Sequence, residues 1–216
     1  MRDLIERWQR GWAVARSLDP ATDVGDGLRS ECHQPGRAVE YVALGVAALP
    51  ALCELVKQEE QVTWLTVPAA EPDAAAAVLE ANGLVLLKRS EQLMTINLHK
   101  HPTAEPPEPY QVETWLSDDV IKVEVLHGNE VGAQGTVGLA DADAVADRIE
   151  TQPEHRRRGL ASAVMSGLAG AAVDEGADHG LLIASEQGQH LYTALGWRPV
   201  ASILIATTPG HTYPAS

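Results

Sequence analysis

A short run of basic residues followed by a glycine is the segment whose chemistry is most specific. The chain reads PEHRRRGLASAVM from Pro153 to Met165, and apolar residues then recur every fourth position, which predicts a helix over about 159–175. The start of a helix offers free N–H groups and the positive end of its dipole, and Gly159 lets a ligand approach the backbone closely. Four basic residues, His155 to Arg158, add positive charge. The pattern predicts a phosphate- or pyrophosphate-binding turn.

A tyrosine in a second segment, Leu191–Trp197 (LYTALGW), carries a side chain suited to proton transfer. A phenol with an ordinary pKa of about 10 can act as a proton donor near neutral pH. A tyrosine at such a place also serves as a half-buried packing residue in many folds, and this alternative to a catalytic Tyr192 stays open. Gly196 is typical of a residue that ends a helix in the left-handed conformation.

These two segments resemble the acyl-CoA-binding half of the GNAT superfamily of N-acyltransferases. Arg156, Gly159 and Ala161 occupy the positions of its Arg-x-x-Gly-x-Gly/Ala signature, and Leu191–Trp197 is similar to the pattern that ends the CoA-binding region. The resemblance covers residues 145–207. It implies an α/β fold with a mixed sheet flanked by helices, and acetyl-CoA or another acyl-CoA as co-substrate.

The resemblance also implies which residues contact the co-substrate. Backbone amides around 149–151 would polarise the thioester carbonyl, and Tyr192 would protonate the thiolate or orient the thioester. Ser185 stands where the family often has asparagine, and its hydroxyl could still bond the pantetheine arm. The implied binding residues are Ile149, Glu150, Thr151, Arg156, Arg157, Arg158, Gly159, Leu160, Ala161, Ser185 and Tyr192.

Transfer to an amine requires a base, because the attacking nitrogen must be neutral. In the family this group often lies on the strand before the pyrophosphate turn. Glu150 and Asp147 are the candidates by position, and Glu150 is ranked first. A carboxylate on such a strand is as often a solvated or structural residue.

Acidic residues outnumber basic ones, and the formal net charge is −14 with 16 Lys and Arg residues. Nucleic-acid binding depends on basic groups that neutralise phosphates, so this balance argues against a nucleic-acid partner. A field of this sign attracts cations, so the expected acceptor is a small-molecule or peptide amine. The eight histidines show no metal-ligand spacing, and no metal ion is expected.

The cysteines and the N-terminal segment predict the compartment. Cys32 and Cys53 have no paired framework and are interpreted as reduced thiols. The first eighteen residues carry charges throughout and lack the apolar stretch of a signal peptide. No apolar run approaches the roughly 20 residues that a membrane span needs. We therefore expect a cytoplasmic protein with no membrane partner.

Periodicity predicts alternating strands and helices around a proline-rich linker. An amphipathic helix is predicted from Leu4 through Trp12, and four prolines in 100–109 indicate an extended linker between residues 1–99 and 110–216. Predicted strands lie at about 28–33, 38–44, 62–67, 84–98 (two strands joined near Ser90), 120–126, 131–139, 144–151, 181–185 and 197–207. Further predicted helices lie at about 46–60, 73–82, 159–175 and 187–195.

The two parts share an order of elements, which suggests an internal duplication. Leu79–Ile96 can be laid beside Leu191–Thr207, with Gly83 opposite Gly196. A chance likeness of two α/β segments is the alternative. No arginine–glycine turn precedes the helix at 46–60, so one CoA site per chain is expected.

Residues 110–120 leave no room for the strand and two helices with which a GNAT domain usually begins. The N-terminal part must therefore provide or replace those elements. We interpret residues 1–99 as a degenerate GNAT-like or acceptor-pocket half, 100–109 as the linker, and 110–216 as the acyl-CoA-binding GNAT half.

The expected function is direct transfer of an acetyl or other acyl group from acetyl-CoA to an amine in a ternary complex. No cysteine lies in the two motifs to carry a covalent intermediate. One alternative is a catalytically silent acyl-CoA-binding protein with a sensing or assembly role, and another is a purely structural protein. A homodimer is an open option, through an exposed edge of the final strand.

Overall fold

The computed structural model describes residues 1–213, whose strands form one mixed sheet with helices on both faces. This confirms the predicted fold class. The strands are β1 (Thr22–Asp23), β2 (Gly27–Gln34), β3 (Arg37–Ala43), β4 (Thr63–Ala69), β5 (Val85–Asn97), β6 (Gln111–Ser117), β7 (Val120–His127), β8 (Glu130–Ala140), β9 (Asp143–Thr151), β10 (His179–Ala184) and β11 (Arg198–Thr207). The α-helices are α1 (Arg2–Ala15), α2 (Leu49–Gln58), α3 (Pro72–Ala81), α4 (Leu160–Asp174) and α5 (Glu186–Ala194).

The 11 strands follow the order β1-β2-β3-β4-β11-β5-β10-β9-β8-β7-β6 across the sheet. The last strand of the chain therefore lies in the middle, where β11 is antiparallel to both β4 and β5. The expectation that the final strand offers an exposed edge is wrong, because both of its edges are paired. The outermost strands are β1 and β6.

One continuous strand replaces the two strands expected at 84–98. Lys88 of β5 is opposite Ile205, whereas Glu91 is opposite Ile203, so β5 has one extra residue in this stretch. Such an insertion is a β-bulge, and the polar residues around Ser90 mark it. Sequence reasoning missed β6, whose residues are all exposed and lack the alternation of a half-buried strand.

The order strand, strand, helix, strand, helix, strand occurs twice, as β2-β3-α2-β4-α3-β5 and as β8-β9-α4-β10-α5-β11. Both α3 and α5 end in the same cap. Leu84 N donates to Leu79 O at 3.1 Å, and Trp197 N donates to Tyr192 O at 2.9 Å. In each cap the intervening glycine is left-handed, with φ 84° and 88°. The structure thus places Leu79 and Tyr192 at corresponding positions.

The last strand of each repeat pairs with the other repeat. Strand β5 is antiparallel to β10, and β11 is antiparallel to β4, while β5 and β11 pair with each other at the centre. The core has three clusters: α2 with α3 and α4 with α5 cover one face, and α1 covers the other. No helix in the described part of the chain is long and apolar enough to cross a membrane.

Helix α1 belongs to the N-terminal half but packs mainly on β8 and β9 of the C-terminal half. Two glycines permit this close approach. A Cβ on Gly138 would collide with the backbone of Gly11 and Ala15, and a Cβ on Gly11 would collide with Val145. The N-terminal half therefore provides a helix on the face of the C-terminal sheet opposite α4.

Candidate active site

The predicted pyrophosphate turn connects β9 to α4. Gly159 is the N-cap of α4 with φ 78°, and a Cβ built there would meet no atom within 4 Å. The N–H groups of Gly159, Leu160 and Ala161 have no acceptor among residues 1–213. Free amides at a helix start beside an open glycine suit an anionic group. These residues fit a phosphate or pyrophosphate group.

The three arginines of the turn are exposed and surround it. Arg156 Nε donates to Thr151 O at 3.2 Å, and Arg158 donates to Glu154 O at 3.4 Å, while Arg157 is left-handed with φ 64°. Backbone bonds thus hold two of the guanidinium groups at the surface of the turn. This arrangement concentrates positive charge at the turn of a chain with a net charge of −14.

A histidine that the sequence reasoning counted only as positive charge lies beneath the turn. His155 is 6% exposed, and its Nδ1 is 2.8 Å from the hydroxyl oxygen of Tyr110. Gly132 makes room for both rings, because a Cβ there would press on each at 3.2 Å. His155 therefore ties the turn to Tyr110, which directly precedes β6, and its ring packs against Gly132 of β8. No feature of the sequence marks this role.

The sheet opens next to the turn, because β9 and β10 separate. These parallel strands pair only from Asp143 opposite His179 to Val145 opposite Leu181. Beyond Val145 the two strands diverge toward their carboxyl ends. A gap at the carboxyl ends of parallel strands is where α/β sheets place ligands.

A bulge in β9 faces this opening. Asp147 is opposite Thr136 and Glu150 is opposite Gln134, so Arg148 and Ile149 together oppose one residue of β8. Arg148 is left-handed with φ 53°. The bulge removes one residue from the regular ladder and breaks the alternation of side chains. Of the three residues expected to present amides, Ile149 lies in the bulge, whereas Glu150 and Thr151 pair with β8.

A cavity of about 450 Å³ lies at the opening and has walls from both halves of the chain. Three tryptophans and three carboxylates are among its lining groups. The N-terminal half contributes Trp8, Trp12, Arg16, Arg37, Glu40, Trp64, Thr66 and Glu91. The C-terminal half contributes Ala146, Asp147, Arg148, Ile149, Ile183, Ser185, Tyr192, Ile205 and Tyr213.

Tyr192 and Ser185 both line this cavity. Tyr192 is 8% exposed, and its hydroxyl makes no hydrogen bond to any residue in 1–213. Burial, with a smaller contribution from Asp147, raises the pKa of Tyr192 above that of an ordinary tyrosine. Ser185 caps α5, where its Oγ accepts from Gly188 N at 3.2 Å. The Ser185 hydroxyl therefore has a structural partner in addition to any ligand.

The structure does not bring Glu150 together with the other predicted site residues. Glu150 is exposed and does not line the cavity. Asp147 does line it, but its carboxylate accepts two bonds from Arg16, from Nε at 2.7 Å and Nη2 at 3.0 Å. Both oxygens of the Asp147 carboxylate are therefore already engaged by Arg16.

Two further carboxylates that the sequence reasoning did not consider project into the cavity from the N-terminal half. Glu40 accepts a hydrogen bond from Thr66 at 2.7 Å and lies 2.8 Å from Arg37 Nη1. Glu91 is 8% exposed and has no basic side chain within ion-pairing distance in the described chain. Burial raises the pKa of Glu91 above its ordinary value.

Residues 1–213 contain no group of three His, Cys, Asp or Glu side chains arranged to hold a metal ion. The chemistry available at the opening is that of backbone amides, the Tyr192 phenol and the cavity carboxylates. These groups together can bind an anionic co-substrate, stabilise an oxyanion and move protons.

Comparison with known proteins identifies the family and the fold. A sequence profile described as the Acetyltransferase (GNAT) family matches residues 90–197, which is half of the chain. The chain belongs to the GNAT acetyltransferase family, whose fold supports acyl transfer. No curated protein matches the sequence.

Solved structures share the fold over nearly the whole chain at low sequence identity. A GCN5-related N-acetyltransferase from Kribbella flavida is 17% identical with a TM-score of 0.71, covering 97% of this chain and 95% of that one. A putative GNAT-family acetyltransferase from Novosphingobium aromaticivorans is 17% identical with a TM-score of 0.60, covering 95% and 98%. A tandem GNAT protein from the clavulanic acid biosynthesis pathway is 13% identical with a TM-score of 0.60, covering 100% and 94%.

Proposed function

We propose that the protein transfers an acetyl group from acetyl-CoA directly to an amine. The observation that carries this proposal is the meeting of three features at the gap between β9 and β10. The amide-rich turn at Gly159 lies on one side, the cavity lies on the other, and Tyr192 lines the cavity. A co-substrate on the turn would extend its thioester through the gap toward an acceptor in the cavity.

Each group at the gap has a role in this reaction. The bulge at Arg148 and Ile149 takes backbone groups out of the ladder, so an amide there can stabilise the oxyanion that forms from the thioester carbonyl. Tyr192 lines the cavity, and its phenol would give a proton to the departing thiolate. No cysteine lines the cavity in the described chain, which supports direct transfer.

We propose that residues 1–99 are a degenerate GNAT-like half that has become the acceptor side of the pocket. The repeated order of elements and the matching caps at Leu79 and Tyr192 support a duplication. The segment before α2 carries no arginine, and Leu79 stands where the C-terminal half has Tyr192. One CoA site per chain is therefore expected, with 100–109 as the linker and 110–216 as the CoA-binding half.

The proposal also covers location and assembly. Both cysteines are free and buried, which supports a cytoplasmic protein.

Strand β6 is an unpaired edge, and Trp115 and Leu116 on it are 43% and 48% exposed. If the protein forms a homodimer, this edge is the surface that we expect to pair, and not the final strand.

The first test is calorimetric titration of acetyl-CoA into the wild type and into Arg156→Ala/Gly159→Glu. We expect one saturable site per chain that the double variant loses. The matched control is Arg89→Ala/Gly176→Glu, which removes an exposed arginine and a left-handed glycine at the other end of α4. Absence of binding to the wild type, or binding that survives the turn variant, contradicts the proposal.

The second test separates an enzyme from a silent binding protein. CoA release is followed while amines of different size and charge are offered with acetyl-CoA. Release that depends on an amine supports transfer. The silent alternative is supported by the exposed position of Glu150, and saturable binding with no release for any amine would favour it.

A further inference from the structure

We propose that Glu91, contributed by the N-terminal half, holds the ammonium group of the acceptor in the cavity and takes its proton. This inference rests on the proposed acetyl transfer and names the substrate class and the base of the same site. The acceptor is then a primary ammonium compound with an apolar body. Neither Asp147 nor Glu150, the two candidate bases on β9, has this role.

The position of Glu91 follows from the register of the central strands. Leu93 of β5 is opposite Ile183 of β10, and Gln92 is opposite Ala184, the last pair of this ladder. Glu91 and Ser185 are the next residues on the two strands, so they are neighbours just past the end of the ladder. Directly opposite residues of an antiparallel pair point to the same face.

That face is the one that α1 covers. Leu93 and Ile183 pack in the same cluster as the α1 residue Trp12. Side chains two residues apart on a strand share a face, so Glu91 points to the side of Leu93 and lines the cavity. Glu91 thus lies on the acceptor side of the sheet, next to a residue of the CoA-binding motifs.

Glu91 is the cavity carboxylate without a basic partner in residues 1–213. Asp147 is paired with Arg16, and Glu40 is paired with Arg37 and bonded to Thr66. The one polar contact of Glu91 is a long bond from the hydroxyl of Tyr213 at 3.4 Å. A buried anion without a counter-ion costs folding free energy, so a cationic ligand is its expected complement.

The charged groups around Glu91 leave it available as a base. Burial raises its pKa, whereas Lys88, Tyr213 and Arg37 lower it and Glu40 raises it further. Lys88 lies over the ring of Tyr213, with Nζ 4.5 Å from the centroid. A carboxylate with a raised pKa is a stronger base than an exposed one, and its charged form attracts an ammonium.

The remaining walls indicate the rest of the acceptor. Trp8, Trp12, Trp64 and Tyr213 give the cavity flat apolar surfaces. The indole Nε1 of Trp64 is buried without an acceptor in the described chain. A volume of about 450 Å³ suits a small amine or one amine-bearing side chain.

The proposed steps balance as follows. The acceptor R–NH3⁺ gives one proton to Glu91, and the nitrogen lone pair forms the C–N bond with the thioester carbonyl carbon. The C–S bond breaks and the electron pair leaves on sulfur, which takes a proton from Tyr192. The second proton lost by nitrogen restores Tyr192, and Glu91 releases its proton to solvent. The products are the amide, free CoA and one proton.

The test of the ammonium site is calorimetric binding of phenethylamine and of 2-phenylethanol, which replaces the ammonium with a hydroxyl. We expect the wild type to prefer the amine by at least about tenfold and Glu91→Gln to lose that preference. Glu91→Asp keeps the negative charge and should therefore keep part of the preference for the amine over the alcohol. Equal binding of both compounds by the wild type, or an unchanged preference in Glu91→Gln, overturns the site without reference to acetyl transfer.

The test of the base is the pH profile of kcat/KM for the amine that turns over fastest. We expect Glu91→Gln to lower kcat/KM by about 10²-fold or more, to remove the acidic limb, and to leave the Kd of acetyl-CoA unchanged. Glu150→Gln, the rival, should keep that limb. If the limb disappears in Glu150→Gln and persists in Glu91→Gln, the base assignment is wrong. If the amine preference depends on Glu91 but no acetyl is transferred, the site stands and the proposed function fails.

Discussion

Arg16 at the C-terminal end of α1 holds Asp147 on β9 through two parallel hydrogen bonds, with both side chains only 15% exposed. The guanidinium also lies over Trp12, 5.1 Å from the ring centroid. This pair joins the first helix of the chain to the strand that leads into the pyrophosphate turn. It therefore fixes one wall of the cavity relative to the gap between β9 and β10.

We expect Arg16→Ala to lower the free energy of unfolding by about 3 kcal/mol, because it leaves Asp147 largely buried without its partner. Urea unfolding measures this change. The control is Arg10→Ala, whose pair with Asp141 is 56% and 75% exposed and whose loss should cost less than about 1 kcal/mol. Equal costs for the two variants would show that the Arg16 pair contributes no more than a surface pair.

The contact between α1 and β8 predicts a strong effect of one added methyl group. Gly138→Ala places a Cβ against the backbone of Gly11 and Ala15, which cannot move aside as a side chain can. We expect a loss of about 2 kcal/mol in the free energy of unfolding. Gly170→Ala on α4, where a Cβ meets nothing within 4 Å, should instead gain about 0.5–1 kcal/mol. The opposite order in urea unfolding would contradict the described packing.

Tyr192→Phe removes the phenol that the proposed reaction uses as an acid. We expect kcat to fall by about 10²-fold while the Kd of acetyl-CoA changes little, since the ring stays in place. Steady-state assays of CoA release measure kcat, and calorimetry measures the Kd of acetyl-CoA. The control Tyr41→Phe, whose hydroxyl bonds Glu59 in the other half, should leave kcat unchanged. An unaltered kcat in Tyr192→Phe would show that the phenol is not the acid and that Tyr192 is a packing residue.

Glu59 makes the stability of the N-terminal half depend on pH. Its hydrogen bond from Arg29 at 2.7 Å, together with one from Tyr41, holds the pKa of this carboxyl below its ordinary value of 4.5. A depressed folded-state pKa gives stability that is present above the unfolded pKa and is lost as pH falls through the folded pKa. Between about pH 5 and pH 3, wild-type stability should fall more steeply than that of Glu59→Gln. Glu60→Gln, which changes an exposed neighbour, should show the same pH dependence of stability as the wild type.

The thiols should be inert in the folded protein. Burial raises the pKa of Cys32 to about 12 and also raises that of Cys53. Since the thiolate is the reactive form, a disulfide reagent at about pH 8 should modify neither thiol in the native state and both after unfolding. Thr103→Cys provides an exposed thiol as positive control. Rapid modification of Cys32 in native protein would contradict its described burial.

Features with a local cause could be predicted from the sequence. The turn at Gly159 and the helix after it depend on neighbouring residues, so their positions agree with the predicted ones to within about two residues. The sequence likewise predicts the helix cap at Gly196, because glycine is the residue that most readily adopts the left-handed conformation at a helix end.

Features that depend on distant pairing could not be predicted in this way. The position of β11 between β4 and β5 is set by contacts between residues far apart in the chain, and periodicity carries no information about partners. For the same reason the sequence does not predict a site role for Glu91. Its neighbours in sequence indicate a strand, and only the fold places it beside Ser185. The exposure of Glu150 depends on the bulge at Arg148, which no composition signal marks.

The central position of β11 constrains how the protein is made. During synthesis β4 and β5 leave the ribosome more than a hundred residues before the strand that must pair with both of them. Each therefore presents an unpaired edge until β11 has been made, and such edges promote aggregation. The central sheet closes only when β11 pairs with both strands, so a nascent N-terminal half should need chaperone protection. A truncated chain that ends before β11 should not yield a soluble half.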